Sequence, residues 1–457
     1  MKFTFPKDFL FGAASSAVQI ESAPCDDGKG VDAWQHYSKV FPEKYLDGDP
    51  QNGADFYHRY PEDIKLMKEL GLRSFRFSIA WTRIYPNDPD NINQAGIDYY
   101  HKLFDELIKN DIVPLIDLWH CDLPMWVIDR GGVYNPEFIE WFVKYAKTCF
   151  TEFGQKVPYW STVNEPQCNV MAGYAWGNNP PFEKDIRKSL HASHNMIIAH
   201  FKTVKLYREM NLPGKIGFVN HFQLAYPASL DEKDKAAAAR DMSFYSNWYS
   251  DPIFTGKYPE DVFAYSYIKD NMPANYQKDL DENFIKCDFI GINYYGGYTI
   301  RYAKDDKMDY EIAPVGTKDA YGFTMYPVGI FDVVKYVHNK YPDADIFISE
   351  NGVSRKRSGY GDDPKRVIDT YEEELEDNYR INFLREHLRG LSRTIGEGYP
   401  VKGYYHWSIM DTTEGMNGGY SLSFGLIQVR FDLPDKPRTP KKSYYYYQNV
   451  IKHNEVD

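Results

Sequence analysis

The sequence predicts an α/β fold, an eight-stranded (β/α)8 barrel of the TIM type, formed as a single domain over residues 1–457 with its extra length in βα-loop insertions. Three observations lead there. A length of 457 residues exceeds the roughly 250–300 at which one hydrophobic core usually stops growing, unless the fold is a large barrel. A short apolar run followed by an amphipathic stretch recurs eight times, which is the rhythm of βα units. No Ser/Gly linker or low-complexity tract divides the chain, and Gly12-Ala-Ala-Ser-Ser lacks the G-x-G-x-x-G spacing that an open nucleotide-binding sheet would place after its first strand.

Taken in order, the strands are Phe9 to Ala14, Ser74 to Ile79, Val113 to Leu118, Tyr159 to Val163, Lys215 to Asn220, Phe289 to Tyr294, Asp345 to Ile348 and Val401 to Trp407. The intervening stretches carry helical periodicity. Over Tyr60 to Leu70, the residues Ile64, Met67, Lys68 and Leu70 precede the stop at Gly71, and over Ile97 to Ile108 the stripe is Tyr100, Leu103, Phe104 and Leu107. Leu190 to Tyr207 reads as a further helix, and the long stretch from Ala225 to Lys286 must hold more than one. The apolar run Phe9 to Val18 has the look of a secretory leader, but Pro6, Lys7 and Asp8 interrupt its approach.

Composition narrows the function classes. Aromatic residues make up 17% of the chain, which excludes wholesale disorder. With 53 Lys and Arg against 65 Asp and Glu, the formal charge of −12 repels nucleic-acid phosphates and anionic lipid, and no basic stripe offsets it. No apolar stretch reaches the 18 residues of a membrane span. Cys25, Cys121, Cys149, Cys168 and Cys287 are odd in number and never in C-x-x-C spacing, so buried free thiols in a reducing compartment are expected rather than disulfides or a zinc cluster. Cytoplasmic location is the expectation, with no cofactor and no metal; a homo-oligomer is left open.

In barrels the chemistry sits where strands end. Those ends carry Gln19 and Glu21 after the first strand, Arg76 and Trp81 at the second, and Trp119, His120 and Asp122 after the third. They continue with Asn164 and Glu165, Asn220 and His221, Asn293 and Tyr295, Glu350 and Asn351, and finally Trp407, Asp411 and Glu414. Amides, carboxylates and indoles converging on one face suit a sugar, which needs hydrogen-bonding groups around an aromatic platform. Glu165, in Thr162-Val-Asn-Glu-Pro166, and Glu350, in Ile348-Ser-Glu-Asn-Gly352, follow strands three apart in the ring, so their carboxyl groups can face each other across the mouth. Either glutamate alone could be a loop acid or a helix cap.

The sequence resembles the family 1 glycoside hydrolases of the β-glucosidase type along nearly all its length. The resemblance rests on Phe11-Gly-Ala-Ala with Gln19 and Glu21, Arg76-Phe-Ser-Ile-Ala-Trp-Thr-Arg83, Trp119-His-Cys-Asp-Leu-Pro124, Thr162-Val-Asn-Glu-Pro166, Gly291-Ile-Asn-Tyr-Tyr295, Ile348-Ser-Glu-Asn-Gly352 and Trp407-Ser-Ile-Met-Asp411. It places Phe9 to Gln19 at the first barrel strand, which disposes of the leader reading. It implies a retaining hydrolase of small-molecule β-glycosides, with Glu350 as nucleophile and Glu165 as acid/base. Arg76 and Tyr295 would keep Glu350 ionised, and the neighbouring negative charge would favour the protonated form of Glu165. By the same resemblance Gln19, His120 and Glu414 hold sugar hydroxyls, Asn164 holds the 2-hydroxyl, Asn293 supports the subsite and Trp407 stacks on the ring. The Tyr444 to Tyr447 run resembles the family's final helix docking on the barrel.

Departures cluster around the eighth strand. Asp411-Thr-Thr-Glu-Gly415 stands where the family has Asp-Asn-Phe-Glu-Trp, so Gly415 leaves one wall of the pocket without its indole. Ser423 replaces an arginine and Ser22 a glycine, and Tyr174 and Trp176 are candidate aglycone platforms. A 6-phospho-β-glycosidase would carry a serine at Glu414, a lysine at Leu422 and a tyrosine at Phe424, and none is present. A non-catalytic glycan-binding relative would lack one glutamate, and both are here. His191, His194 and His200 have no carboxylate partners at metal-site spacing and read as packing or surface residues.

Overall fold

Eight parallel strands close into a barrel: β1 (Leu10–Ala14), β2 (Ser74–Ser78), β3 (Val113–Asp117), β4 (Tyr159–Asn164), β5 (Lys215–His221), β6 (Phe289–Asn293), β7 (Asp345–Asn351) and β8 (Val401–Trp407), each bonded to the next and β8 back to β1. The computed structural model describes residues 3–23, 26–44, 52–305, 307–357, 368–414 and 419–457. The expected strands are all present, with ends that differ by no more than a few residues. The expected helices lie over Phe56–Leu70, Gln94–Lys109 and Ile186–Glu209. Gly71, at φ +82°, ends the first of these in the left-handed conformation that glycine adopts without steric cost. Asp185 starts the third by accepting from the Lys188 backbone N–H at 3.1 Å.

The barrel interior is filled rather than hollow. Leu115, Phe289, Phe347 and Tyr405 point inward and pack as one cluster. The Phe289 and Phe347 rings meet edge to face at 5.1 Å, and Tyr159 meets Phe347 at 5.4 Å. Rings this large fit because the facing positions are bare: a Cβ on Gly12 would lie 2.4 Å from Tyr405, and one on Gly217 2.4 Å from Phe289. This aromatic plug forms the floor of the mouth. On the outside, Ile97, Tyr100, Leu103, Phe104 and Leu107 of Gln94–Lys109 turn inward, the stripe expected from the sequence.

The added length is in the βα loops. The stretch from Ala225 to Lys286 holds helices Glu232–Asp241, Asn247–Thr255 and Tyr276–Asn283 with short turns between. Leu224–Pro227, Gly297–Tyr302 and Tyr310–Ala313 form a three-stranded sheet beyond β5 and β6. Beyond β7 and β8, Arg355–Arg357 pairs with Leu422–Ser423. This corner carries a buried ionic network: Arg357 and Lys441 both bind Glu374, at 2.7 and 2.6 Å, and both bind Asp411, with Lys441 at 2.9 Å. Ser423, where the resemblance expects arginine, accepts from Lys441 Nζ at 2.6 Å, so a cation from the start of the last helix reaches this position instead. That helix, Lys442–His453, docks as expected, the Tyr444 and Tyr447 hydroxyls donating to the Leu66 and Gly12 carbonyls.

Candidate active site

Glu165 and Glu350 both follow a local break in the barrel ladder. In β7 the pairing slips between Ile348 and Glu350 on the β6 side and between Ile348 and Asn351 on the β8 side. Strict alternation from the inward Phe347 would turn Glu350 outward toward the helices; the irregularity aims it at the mouth. In β4 the pairing with β5 slips between Ser161 and Asn164, and Glu165 then takes φ +44°, a left-handed conformation costly for a residue with a Cβ. Its N–H donates to the Val219 carbonyl at 3.1 Å, which fixes the turn.

Donors surround the two carboxylates unequally. Glu350 receives Arg76 Nη1 on Oε1 and the Tyr295 hydroxyl on Oε2, each at 2.6 Å. Arg76 is fully buried and also reaches Asn164 Oδ1 at 2.6 Å and Asp117 at 2.7 Å. Glu165 receives one amide, Asn293 Nδ2 on Oε1 at 2.7 Å, and Ser349 Oγ orients that amide by donating to its Oδ1 at 2.7 Å. Burial pushes Glu350 up from the ordinary glutamate value; Arg76 and the Tyr295 hydroxyl oppose this, and the Glu165 charge adds to it. The donors expected to hold Glu350 ionised are therefore in place, but they do not bring it below its ordinary range. The guanidinium loses to burial and gains more from Asp117 and Glu350, so its affinity for the proton rises and it remains a fixed cation.

Both carboxylates open into one pocket of about 480 Å³. Of the residues singled out in the sequence, Gln19, His120, Tyr295, Trp407 and Glu414 line it, while Arg76, Asn164 and Asn293 lie one layer behind. Gln19 Nε2 donates to Glu414 Oε1 at 3.3 Å, and Thr412 also bonds that carboxylate. Burial pushes Glu414 up to about 7, with the Glu350 charge contributing and hydrogen bonds from Thr412 and Trp407 opposing. Trp407 lies parallel to His120, centroids 5.6 Å apart, and His120 Nε2 is 3.2 Å from Asn164 Nδ2. No lysine or arginine lines the pocket among the described residues.

Sequence reading missed part of the wall. Phe323 stacks on Tyr295 at 4.6 Å and Tyr321 on Phe323 at 4.7 Å, both from the loop after β6. Trp176, expected at the acceptor side, lines the pocket parallel to Tyr245 at 6.2 Å. Asp117, the second anion on Arg76, ends β3 and carried a signal that could have found it: a lone acid closing an apolar strand.

Other polar strand-end groups serve the frame instead. Glu21 pairs with Arg83 at 2.5 Å and accepts from the Tyr100 hydroxyl. Trp81 stacks on Tyr145 in the core, and Asp122 accepts from the Trp81 backbone N–H. Asp411 belongs to the ionic network, and Asn220 bonds Gln167 at 2.6 Å. Tyr174 is buried with its hydroxyl accepting from the Val133 N–H at 3.1 Å, so it is no platform. His200 is buried against Thr162 and His194 against Tyr258. Ser22 takes φ +57°, which explains why glycine is favoured there, and its hydroxyl accepts from the Asp55 N–H at 2.9 Å. Gly415 and Cys25 lie outside the described residues.

Comparison with known proteins agrees with this geometry. The chain matches the sequence model of Glycosyl hydrolase family 1 over residues 1–456. It is 38% identical to Beta-glucosidase A of Acetivibrio thermocellus, covering 99% of each chain. It is 33% identical to a 6-phospho-beta-glucosidase of Bacillus subtilis, covering 99% of this chain and 98% of that one. It superposes on a family 1 β-glucosidase from Thermotoga maritima with a TM-score of 0.92 at 33% identity, covering 99% of both chains.

Proposed function

The chain belongs to glycosyl hydrolase family 1, and from that premise we propose that it is a β-glucosidase of neutral β-glucosides in which Glu350 is the nucleophile and Glu165 the acid/base. One observation carries the assignment of roles. Glu350 holds two strong donors at 2.6 Å, one of them the Arg76 guanidinium, whereas Glu165 has only neutral or weak ones, the Asn293 amide and the Cys168 thiol. Arg76 and Tyr295 favour the anionic form of Glu350 that a nucleophile needs, which leaves Glu165 as the acid/base.

Glu350 attacks the anomeric carbon as the glycosidic C–O bond breaks, and the Glu165 proton passes to the leaving oxygen. The product is a glycosyl ester on Glu350 and a free aglycone. Esterification removes the Glu350 charge, so Glu165 accepts the proton of an incoming water that attacks the same carbon and releases the carboxylate. Two inversions give retention. Arg76 and Tyr295 lose an anionic partner in the first step and regain it in the second, and we assign Asn164, its Oδ1 held by Arg76, to the sugar 2-hydroxyl. Gln19, His120, Trp407 and Glu414 bind the sugar ring.

The absence of a lysine or arginine from the pocket lining among the described residues supports a neutral sugar over a phosphorylated one. We place the whole chain in one catalytic domain and, on the strength of four free thiols among the described residues, in the cytoplasm. Proton NMR of the first-formed sugar from an aryl β-glucoside tests the mechanism: β-anomer appearing before mutarotation is expected, and α-anomer first would overturn it.

A further inference from the structure

The turn that exposes Glu165 also brings a thiol and an imidazole to it. Cys168 N–H donates to the Glu165 carbonyl at 3.0 Å, and the Cys168 thiol hydrogen-bonds the Glu165 carboxylate. His221 arrives from the end of β5. One ligand-type atom from each of Glu165, Cys168 and His221 lies within 4.8 Å of the others, and all three residues line the pocket. Around a tetrahedral zinc ion, such atoms stand roughly 3.3–3.8 Å apart, so closing the site needs side-chain movement of about 1 Å.

The surroundings fit a cation. The Tyr245 hydroxyl lies 3.0 Å from His221 Nδ1, the outer hydrogen bond that orients a ligating imidazole, and leaves Nε2 unshared. Asn293 occupies Glu165 Oε1 and leaves Oε2 unbonded by it.

We propose that Glu165, Cys168 and His221 form a site for one borderline-soft divalent cation of the Zn²⁺ type, whose binding shuts the enzyme off. On binding, the Cys168 thiol loses its proton to solvent as the metal–sulfur bond forms, with no change of oxidation state. The fourth position faces the pocket. The inhibitory half rests on the reading of Glu165 as acid/base, because a coordinated carboxylate can neither give nor take the catalytic proton. Hard cations such as Mg²⁺ and Ca²⁺, which take oxygen ligands, have no effect.

The test uses the full chain, stripped with EDTA, titrated with Zn²⁺ by calorimetry while turnover of an aryl β-glucoside is followed, and with Co²⁺ by absorption. Expected are one ion per chain at micromolar zinc, loss of turnover in step with filling, recovery on EDTA, and a thiolate-to-cobalt charge-transfer band. Cys168→Ser and His221→Gln should each weaken binding by at least about 10–100-fold, the loss seen even for outer-shell partners. Absence of binding at micromolar zinc, wild-type affinity in both variants, or a cobalt spectrum without the thiolate band each overturns the site. Azide rescue of Glu165→Ala keeps the two failures apart. Rescue with no zinc effect sinks the cation site alone; zinc binding without loss of turnover, together with no rescue, sinks the role of Glu165.

Discussion

Tyr295→Phe removes one of the two donors on the Glu350 carboxylate and little else. The hydroxyl lies 2.6 Å from Oε2, and burial holds the phenol well above its ordinary value, so it is a neutral donor at any working pH. The ring stacked on Phe323 at 4.6 Å is kept, so the pocket wall persists. A hydrogen bond to a charged acceptor contributes about 1.5–3 kcal/mol. At about 1.4 kcal/mol per pKa unit, its loss should raise the apparent value of the carboxylate pair by about one to two units. The sign follows from the mechanism: Glu350 attacks only when ionised, so activity disappears as pH falls through its apparent pKa, and a donor lost from the ionised form moves that limb to higher pH. The assay is kcat/KM for an aryl β-glucoside against pH, for wild type and variant, with KM recorded to show that binding is retained. An acidic limb that stays in place, or moves to lower pH, in a folded variant would refute the reasoning.

Glu165→Ala should lose at least about a hundredfold in turnover of poor leaving groups and recover with azide, giving the β-glycosyl azide read by NMR; an α-azide would contradict it. Glu414, pushed up to about 7, is anionic above that pH and neutral below. Two unit charges about 5 Å apart at an effective dielectric near 20 repel by about 3 kcal/mol, so kcat/KM should favour glucosides over 6-phosphoglucosides by at least about a hundredfold at alkaline pH. That ratio should shrink as pH falls through 7, and equal turnover of both substrates at alkaline pH would count against it. Lys441→Met leaves Arg357 as the one cation on Glu374 and Asp411 among the described residues and should cost about 3–5 kcal/mol of stability by denaturant midpoint; an unchanged midpoint would mean that the buried network contributes nothing net.

The strands were legible because each is mostly buried and so reads as a short run rich in apolar residues; Val401 to Trp407 appears at its observed limits although Lys402 is exposed. Gln19, His120, Tyr295, Trp407 and Glu414 were legible as mouth groups because barrel topology puts every strand end on one rim. What was not legible depends on local irregularity or on long-range packing. Nothing in Ile348-Ser-Glu-Asn shows that the ladder slips there and re-aims Glu350. Glu21 and Trp81 have the same sequence signature as Gln19 and Trp407, yet Arg83 and Tyr145 draw them into the frame, and those partners lie tens of residues away. Phe323 and Tyr321 come from a loop with no period at all, so their place in the wall could be found only in three dimensions.

The central claim is that Glu350 forms the glycosyl ester, and trapping that ester tests it most directly. A 2-deoxy-2-fluoro-β-glucoside with an activated leaving group slows the second step more than the first, so the intermediate accumulates. Intact mass should rise by one fluoroglucosyl group as activity disappears, and peptide mapping after digestion should place the label on Glu350. A label on Glu165 or any other residue, or complete inactivation with no covalent adduct, would contradict the account.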